Sequence, residues 1–167
     1  MQIKLQKGSL EKLPKAFTRV ALIPKGVERF VEKNGVTTLE IVSGKFERVT
    51  PRTFRTLVRT IVQSAKKNKL SKIAFEFDFK QFPKLSEYDE AWAMSTLAEN
   101  LLLADYEFTR YKSKQSKEKL SEVAIVNGMS KGAVAGLKRG MIVGTYANVC
   151  RDIANTSGGD MTPKGLA

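Results

Sequence analysis

Glycines 136, 140 and 144 lie inside a stretch, from Ser130 past Asp152, that otherwise has the composition of one long helix. Four-residue spacing puts all three on one stripe of that helix. Each costs up to about 1 kcal/mol relative to alanine in a helix interior. Three on one stripe are expected where another backbone packs close against the helix. A phosphate cradle needs its glycines in a loop ahead of a helix, so it is the weaker reading.

The preceding segments supply candidate partners. Residues 19–24 (RVALIP) predict a short buried strand closed by Pro24 and Gly26. Residues 36–43 (VTTLEIVS), rich in β-branched side chains, predict another. Thr50-Pro51 is a helix start, a capping hydroxyl followed by proline at the first helical position. Behind it Phe54, Leu57, Val58, Ile61, Val62 and Ala65 make one apolar face, with Arg52, Arg55, Arg59 and Lys66 opposite. Residues 72–79 (KIAFEFDF) alternate, Phe75, Phe77 and Phe79 against Glu76 and Asp78, which predicts a strand with unlike faces.

The next helix is predicted from near Ser86, with Asp89 completing a loose capping box. Its buried stripe is Ala91, Met94, Leu97, Ala98, Leu101 and Leu102. KSKQSKEK (112–119) predicts a loop and EVAIV (122–126) a strand ahead of the long helix. Strands and helices in alternation predict an α/β domain with helices covering both faces of the sheet.

With 167 residues the length suits one domain. There is no His, which excludes Ser-His-Asp and Cys-His hydrolase chemistry within the chain. It also disfavours a structural zinc site. Cys150 is the single cysteine, so no internal disulfide can form. Placed beside Val149 near the apolar side of the long helix, it is expected to be a buried structural thiol. No run of about eighteen apolar residues is present, and the start has no targeting pattern. A soluble, cytoplasmic protein is expected, with no membrane contact.

The 29 Lys and Arg against 17 Asp and Glu leave a net charge of +12, unevenly placed. Lys45 to Lys72 holds nine basic residues and one acid, and Arg110 to Lys119 holds five and one. Residues 73–109 hold eight acids and two lysines. The candidate contact surface is the stripe Arg52, Arg55, Arg59 and Lys66, extended by Lys112 and Lys114. It could meet nucleic acid through its phosphates or the acidic surface of another subunit. Aromatics do not interleave with these cations, as a base-stacking platform requires. Glu76 and Asp78 share a predicted strand face, but two carboxylates without convergent ligands are more simply its polar side.

Ser157-Gly158-Gly159-Asp160 is a turn signal, and Thr162-Pro163 is a second helix start with four residues behind it. The segment CRDIANTSGGDMTPKGLA resembles the linker between the two domains of the leucyl aminopeptidase family, the hexameric cytosolic metallopeptidases. Arg151, Asp152, Ile153, Asn155, Thr156, Thr162, Pro163, Leu166 and Ala167 fall on its pattern. Upstream, Tyr106, Phe108, Tyr111 and Lys112 are similar to the family's aromatic-x-Phe-x-x-Tyr-Lys segment. Ser157 stands where the family usually has proline.

The resemblance implies a three-layer α/β/α, macro-domain-like fold with a mixed, mainly parallel sheet. Residues 1–156 are then the N-terminal domain, and 157–167 begin a linker containing Thr162 and Pro163. In the family, two divalent metals, zinc or manganese, sit in the C-terminal domain and activate a water against the N-terminal peptide bond. The signature around those ligands is absent here, so no catalytic or metal residue is assigned. The implied role is non-catalytic: support of a catalytic domain and of a homo-hexamer. The alternative is a module binding DNA or a nucleotide through the basic stripe.

Overall fold

The computed structural model describes residues 1–33, 35–113, 119–126 and 130–162. Six strands, β1 (Gln2–Gln6), β2 (Thr18–Ile23), β3 (Arg29–Lys33), β4 (Val36–Val42), β5 (Lys72–Glu76) and β6 (Glu122–Val126), form one sheet. Among the described residues, three α-helices follow the fourth strand: α1 (Pro51–Lys67), α2 (Glu90–Asp105) and α3 (Lys131–Asn155). The strand order is β1-β6-β5-β2-β4-β3. Every neighbouring pair is parallel except β3 with β4. The α/β class and the mixed, mainly parallel sheet are as expected.

Chain direction explains which face each connection covers. The crossovers through α1 and α2 both step the chain from β4 toward β6. The connection from β1 to β2 steps the opposite way. Right-handed crossovers then put α1 and α2 on one face and residues 7–17 on the other. The packing agrees. Ile73, Phe75, Val123 and Ile125 meet the apolar sides of α1 and α2, whereas Ala74 and Ala124 meet Leu10, Leu13 and Phe17. Cover on that second face thus comes from a segment whose regular part is a single 3-10 turn at Leu10–Lys12. Arg19, 4% exposed, pins it by donating to the carbonyls of Leu10, Leu13, Pro14 and Phe17.

α1 begins as predicted, with Thr50 and Thr53 forming a reciprocal capping box and Pro51 in the first turn. All six of its predicted apolar residues are buried. β5 is shorter than the predicted strand. It ends at Glu76, and Asp78 caps a 3-10 turn at Phe79–Gln81 by accepting from the Lys80 amide at 3.0 Å. α2 starts at Glu90, not near Ser86, because Asp89 is itself the cap and accepts from the Trp92 amide at 2.7 Å. Pro83–Leu85 form another short 3-10 turn, and Ser86 caps its end. Ala91 and Leu102 are only half-buried, whereas Thr96 and Asn100 are buried. α2 lies between the sheet, α1 and α3, so more than one stripe of it is covered. Of the predicted loop 112–119, residues 114–118 lie outside the described residues.

β1 and β3 have no counterpart among the predicted strands. β3 and β4 pair antiparallel with Lys33 opposite Val36, and Gly35 between them takes φ +69°. The sequence carries Asn34-Gly35 between the two strands, and Asn-Gly is a strong hairpin signal.

The glycine stripe does what its spacing predicts. A Cβ on Gly136 would lie 2.8 Å from the Ala91 Cα, and one on Gly140 2.8 Å from the Ser95 carbonyl carbon. At Gly144 the nearest atoms are in the Leu102 side chain, at 3.0 Å. α2 is the principal neighbour of α3.

Candidate functional site

The two sequence segments that resembled a family lie 40 residues apart, and the fold joins them. The Arg151 guanidinium sits over the Tyr106 ring, 3.9 Å from its centroid, and donates to the Leu103 carbonyl at 3.1 Å. The Tyr106 hydroxyl donates to Asp152 Oδ1 at 3.0 Å and accepts from Asn155 Nδ2 at 3.2 Å. One turn on, the Tyr111 hydroxyl donates to Asp160 Oδ2 at 2.6 Å and accepts from the Ser157 amide at 2.8 Å. Phe108 packs edge-on against Tyr111. Two tyrosines following α2 therefore hold the last turn of α3 and the turn beyond it. This clamp fixes the path of the chain just beyond α3. Thr162 is exposed; Pro163, Leu166 and Ala167 lie outside the described residues.

The basic stripe is partly consumed within the molecule. Arg59 Nε donates to Asn100 Oδ1 at 2.9 Å, and the Asn100 amide donates in turn to the Thr96 carbonyl at 2.8 Å. Lys66 pairs with Glu107 and donates to the Asp105 carbonyl at 3.1 Å. Its hydrogen bond holds Glu107 below the ordinary carboxylate value, with further help from the Lys112 and Lys119 charges. Lys66 and Lys112 are thus brought around one carboxylate, while Lys114 lies outside the described residues. Arg55 is exposed and stands 5.8 Å from the Trp92 ring centroid. Arg52 is exposed, with no ion-pair partner among the described residues.

Burial raises Asp105 above its ordinary value, against the opposing pull of the Met1 amine and Lys66. These groups line a cavity of about 730 Å³ at the starts of β1, β5 and β6. At the other end of the sheet a cavity of about 560 Å³ opens beside the first turn of α1, lined by Lys25, Ser43, Gly44, Lys45, Arg48, Val49 and Thr53. In open α/β sheets the carboxyl ends of the strands are where ligands bind.

Two expectations need correction. Glu76 and Asp78 do not share a strand face, because β5 stops at Glu76. Among the described residues, no group of three or more His, Cys, Asp or Glu could hold a metal ion. Cys150 is exposed, not buried, and Val149 beside it is 45% exposed. α3 buries its glycine side against α2, which turns the side bearing Val149 and Cys150 outward. Among the described residues no helix is long and apolar enough to cross a membrane.

Residues 41–115, from β4 through α1, β5 and α2 into the Tyr106–Lys112 segment, match the model for the cytosol aminopeptidase family, N-terminal domain. The chain carries the N-terminal domain of that family. Probable cytosol aminopeptidases of Roseiflexus castenholzii and a Sulfurihydrogenibium species are 30% and 31% identical over 119 and 115 residues. Those alignments cover 68% and 67% of this chain, but only 23% and 22% of the relatives. A mutant of tomato leucine aminopeptidase shares the fold over the whole chain and 40% of its own, with a TM-score of 0.75 at 14% identity. The bottromycin maturation enzyme BotP in complex with Mn shares it over 89% of this chain and 33% of its own, with a TM-score of 0.64 at 17% identity. The family match overlaps the resembling segments only at 106–112; most of it lies in the first hundred residues, where no specific motif stands out.

Proposed function

We propose that this chain serves as the non-catalytic N-terminal domain of a cytoplasmic leucyl aminopeptidase-type metallopeptidase. The parent enzyme removes N-terminal amino acids from peptides. Residues 1–156 form the supporting domain and 157–167 begin the linker. The role is to hold a catalytic domain in position and to support assembly of a homo-hexamer. The tyrosine clamp carries this reading, since Tyr106 and Tyr111 order the exit from α3 through side chains that a free-standing domain has little need to spend there. The family resemblance assigns two divalent metals, zinc or manganese, to the catalytic domain, and BotP, which shares the fold of this chain, is known in complex with Mn.

The test joins this chain to the part of the Roseiflexus castenholzii protein that follows its matched region. The isolated chain should release no leucine from a leucyl anilide, and the fusion should do so with added manganese. Light scattering should show a hexamer for the fusion and a smaller or less stable assembly for the catalytic part alone. Equal assembly and activity without the chain would overturn the supporting role.

Binding of duplex DNA is the second reading. It is favoured by Arg52 and Arg55 remaining exposed, and by Lys25, Lys45 and Arg48 lining one cavity beside the first turn of α1. Such binding must weaken steeply with salt. Absence of binding even at about 50 mM salt would remove it.

A further inference from the structure

The outer side of α3 exposes large apolar side chains. Ile142, Val143, Tyr146, Val149 and Ile153 are 60, 43, 67, 45 and 44% accessible. Ile142, Tyr146, Val149 and Ile153 follow one another at 4, 3 and 4 residues, which aligns them along the helix for about 17 Å. Together they leave roughly 500 Å² of apolar surface in water, toward the upper end of the largest patch on an ordinary monomer.

We infer that this stripe is the surface on which the catalytic domain docks; the inference rests on the supporting role proposed above. Three observations choose that occupant over a second copy of the chain. The first is area. Two copies pairing through the stripe would bury about 1,000 Å², short of the ~1,600 Å² usual for free association. Interfaces between domains of one chain run from about 600 to 1,500 Å². A tether replaces the missing area with effective concentration.

The second is charge. Each copy carries +12, and Lys138 and Arg139 stand at the amino-terminal end of the stripe. Two such surfaces repel. The complementary surface is apolar at its centre and acidic where it meets Lys138 and Arg139.

The third is continuity. The stripe ends at Ile153, one turn before the clamp formed by Tyr111 with Ser157 and Asp160. A domain following that clamp begins beside the stripe. The relatives have the length for one, since the aligned region is less than a quarter of each.

Cys150 lies along the stripe, is exposed, and is the chain's single cysteine, so it reports on cover directly. The experiment compares the isolated chain with the fusion described above. Maleimide labelling of Cys150 is read by mass spectrometry, together with hydrogen exchange over the whole chain. Labelling is expected to be at least tenfold slower in the fusion. Tyr146→Glu should restore the rate of the isolated chain, and should leave that chain's own melting temperature unchanged. If Cys150 labels equally fast in both proteins while another surface gains protection, the stripe is not the docking surface, although domain support stands. If no surface gains protection, the supporting role itself fails. A stable dimer of the isolated chain that Tyr146→Glu disrupts would assign the stripe to a second copy and overturn the proposal.

Discussion

The inner side of α3 presents Ala133, Gly136, Leu137, Gly140 and Gly144 to α2, and the outer side presents Ile142, Val143, Tyr146, Val149 and Ile153 to water. Hydropathy ranks these two sides the wrong way round for a core. Glycine at the contact lets the helix axes approach until backbone meets backbone. The gain is then many short-range contacts along the whole crossing, with little side-chain entropy to lose. A bulkier inner face would hold α2 away. The apolar outer side is therefore surplus to the domain's own core, and this is what makes it a candidate for contact with another one.

The largest expected effect tests the inner side. In Gly140→Ala the new Cβ meets the Ser95 carbonyl carbon at 2.8 Å and the Ala98 Cβ at 2.9 Å, so one helix must shift. Overpacking costs about 1–3 kcal/mol or more, offset by up to about 1 kcal/mol of helix propensity. A net loss of about 2 kcal/mol is expected in urea unfolding. An unchanged midpoint would show that glycine does not set the spacing of α2 and α3.

A smaller effect is expected where the two sides meet the clamp. Tyr106→Phe keeps the ring beneath Arg151 and removes the hydroxyl that joins Asp152 and Asn155. About 0.5–1 kcal/mol should be lost, with faster amide exchange confined to the last turn of α3. Exchange that quickens along the entire helix would mean that the clamp supports the inner face as well.

The support beneath α2 should show in pH dependence. Asp105, raised by burial, binds more protons in the native than in the unfolded state across the interval between its two values. Its contribution is complete below the ordinary carboxylate value and declines as pH rises through the raised one. Glu107, lowered by Lys66, contributes above its ordinary value and loses this as pH falls through the lowered one. Asp105→Asn removes only the first effect. Stability of the variant should then climb more steeply with pH across the mildly acidic range. A slope equal to the parent's would contradict the burial of Asp105.

The smallest effect belongs to the outer side. Ile142→Ser should change stability by no more than about 0.5 kcal/mol, since the side chain is 60% exposed. A loss approaching that of Gly140→Ala would abolish the contrast between the two sides.

Much of the fold was legible locally. Thr50-Pro51 marks the start of α1, and the spacing from Phe54 to Ala65 marks the face it buries, because capping and helical periodicity act within a few residues. β1 was not legible. Gln2, Lys4 and Gln6 alternate with Ile3 and Leu5, and among the described residues it is an edge strand paired with β6, 120 residues away. The α2 cap was misplaced by three residues because Ser86 and Asp89 both qualify, and a preceding 3-10 turn takes up the first. The basic stripe was readable as a helix face. That Arg59 donates to Asn100 on α2 and that Lys66 pairs with Glu107 just beyond it cannot be revealed by spacing within α1.

By itself the sequence determined the order of β2, β4, α1, β5, α2, β6 and α3, the close approach demanded by glycines 136, 140 and 144, and the two segments that resemble the aminopeptidase family. These follow from backbone geometry and side-chain chemistry within single segments. Tertiary structure alone decided that Tyr106 and Tyr111 close on residues 152–160, that Arg19 holds residues 10–17 to the second face of the sheet, and that Cys150 faces outward. Each depends on where one element lands on another. The deciding term there is packing distance between backbones, which the hydropathy of either element alone does not encode.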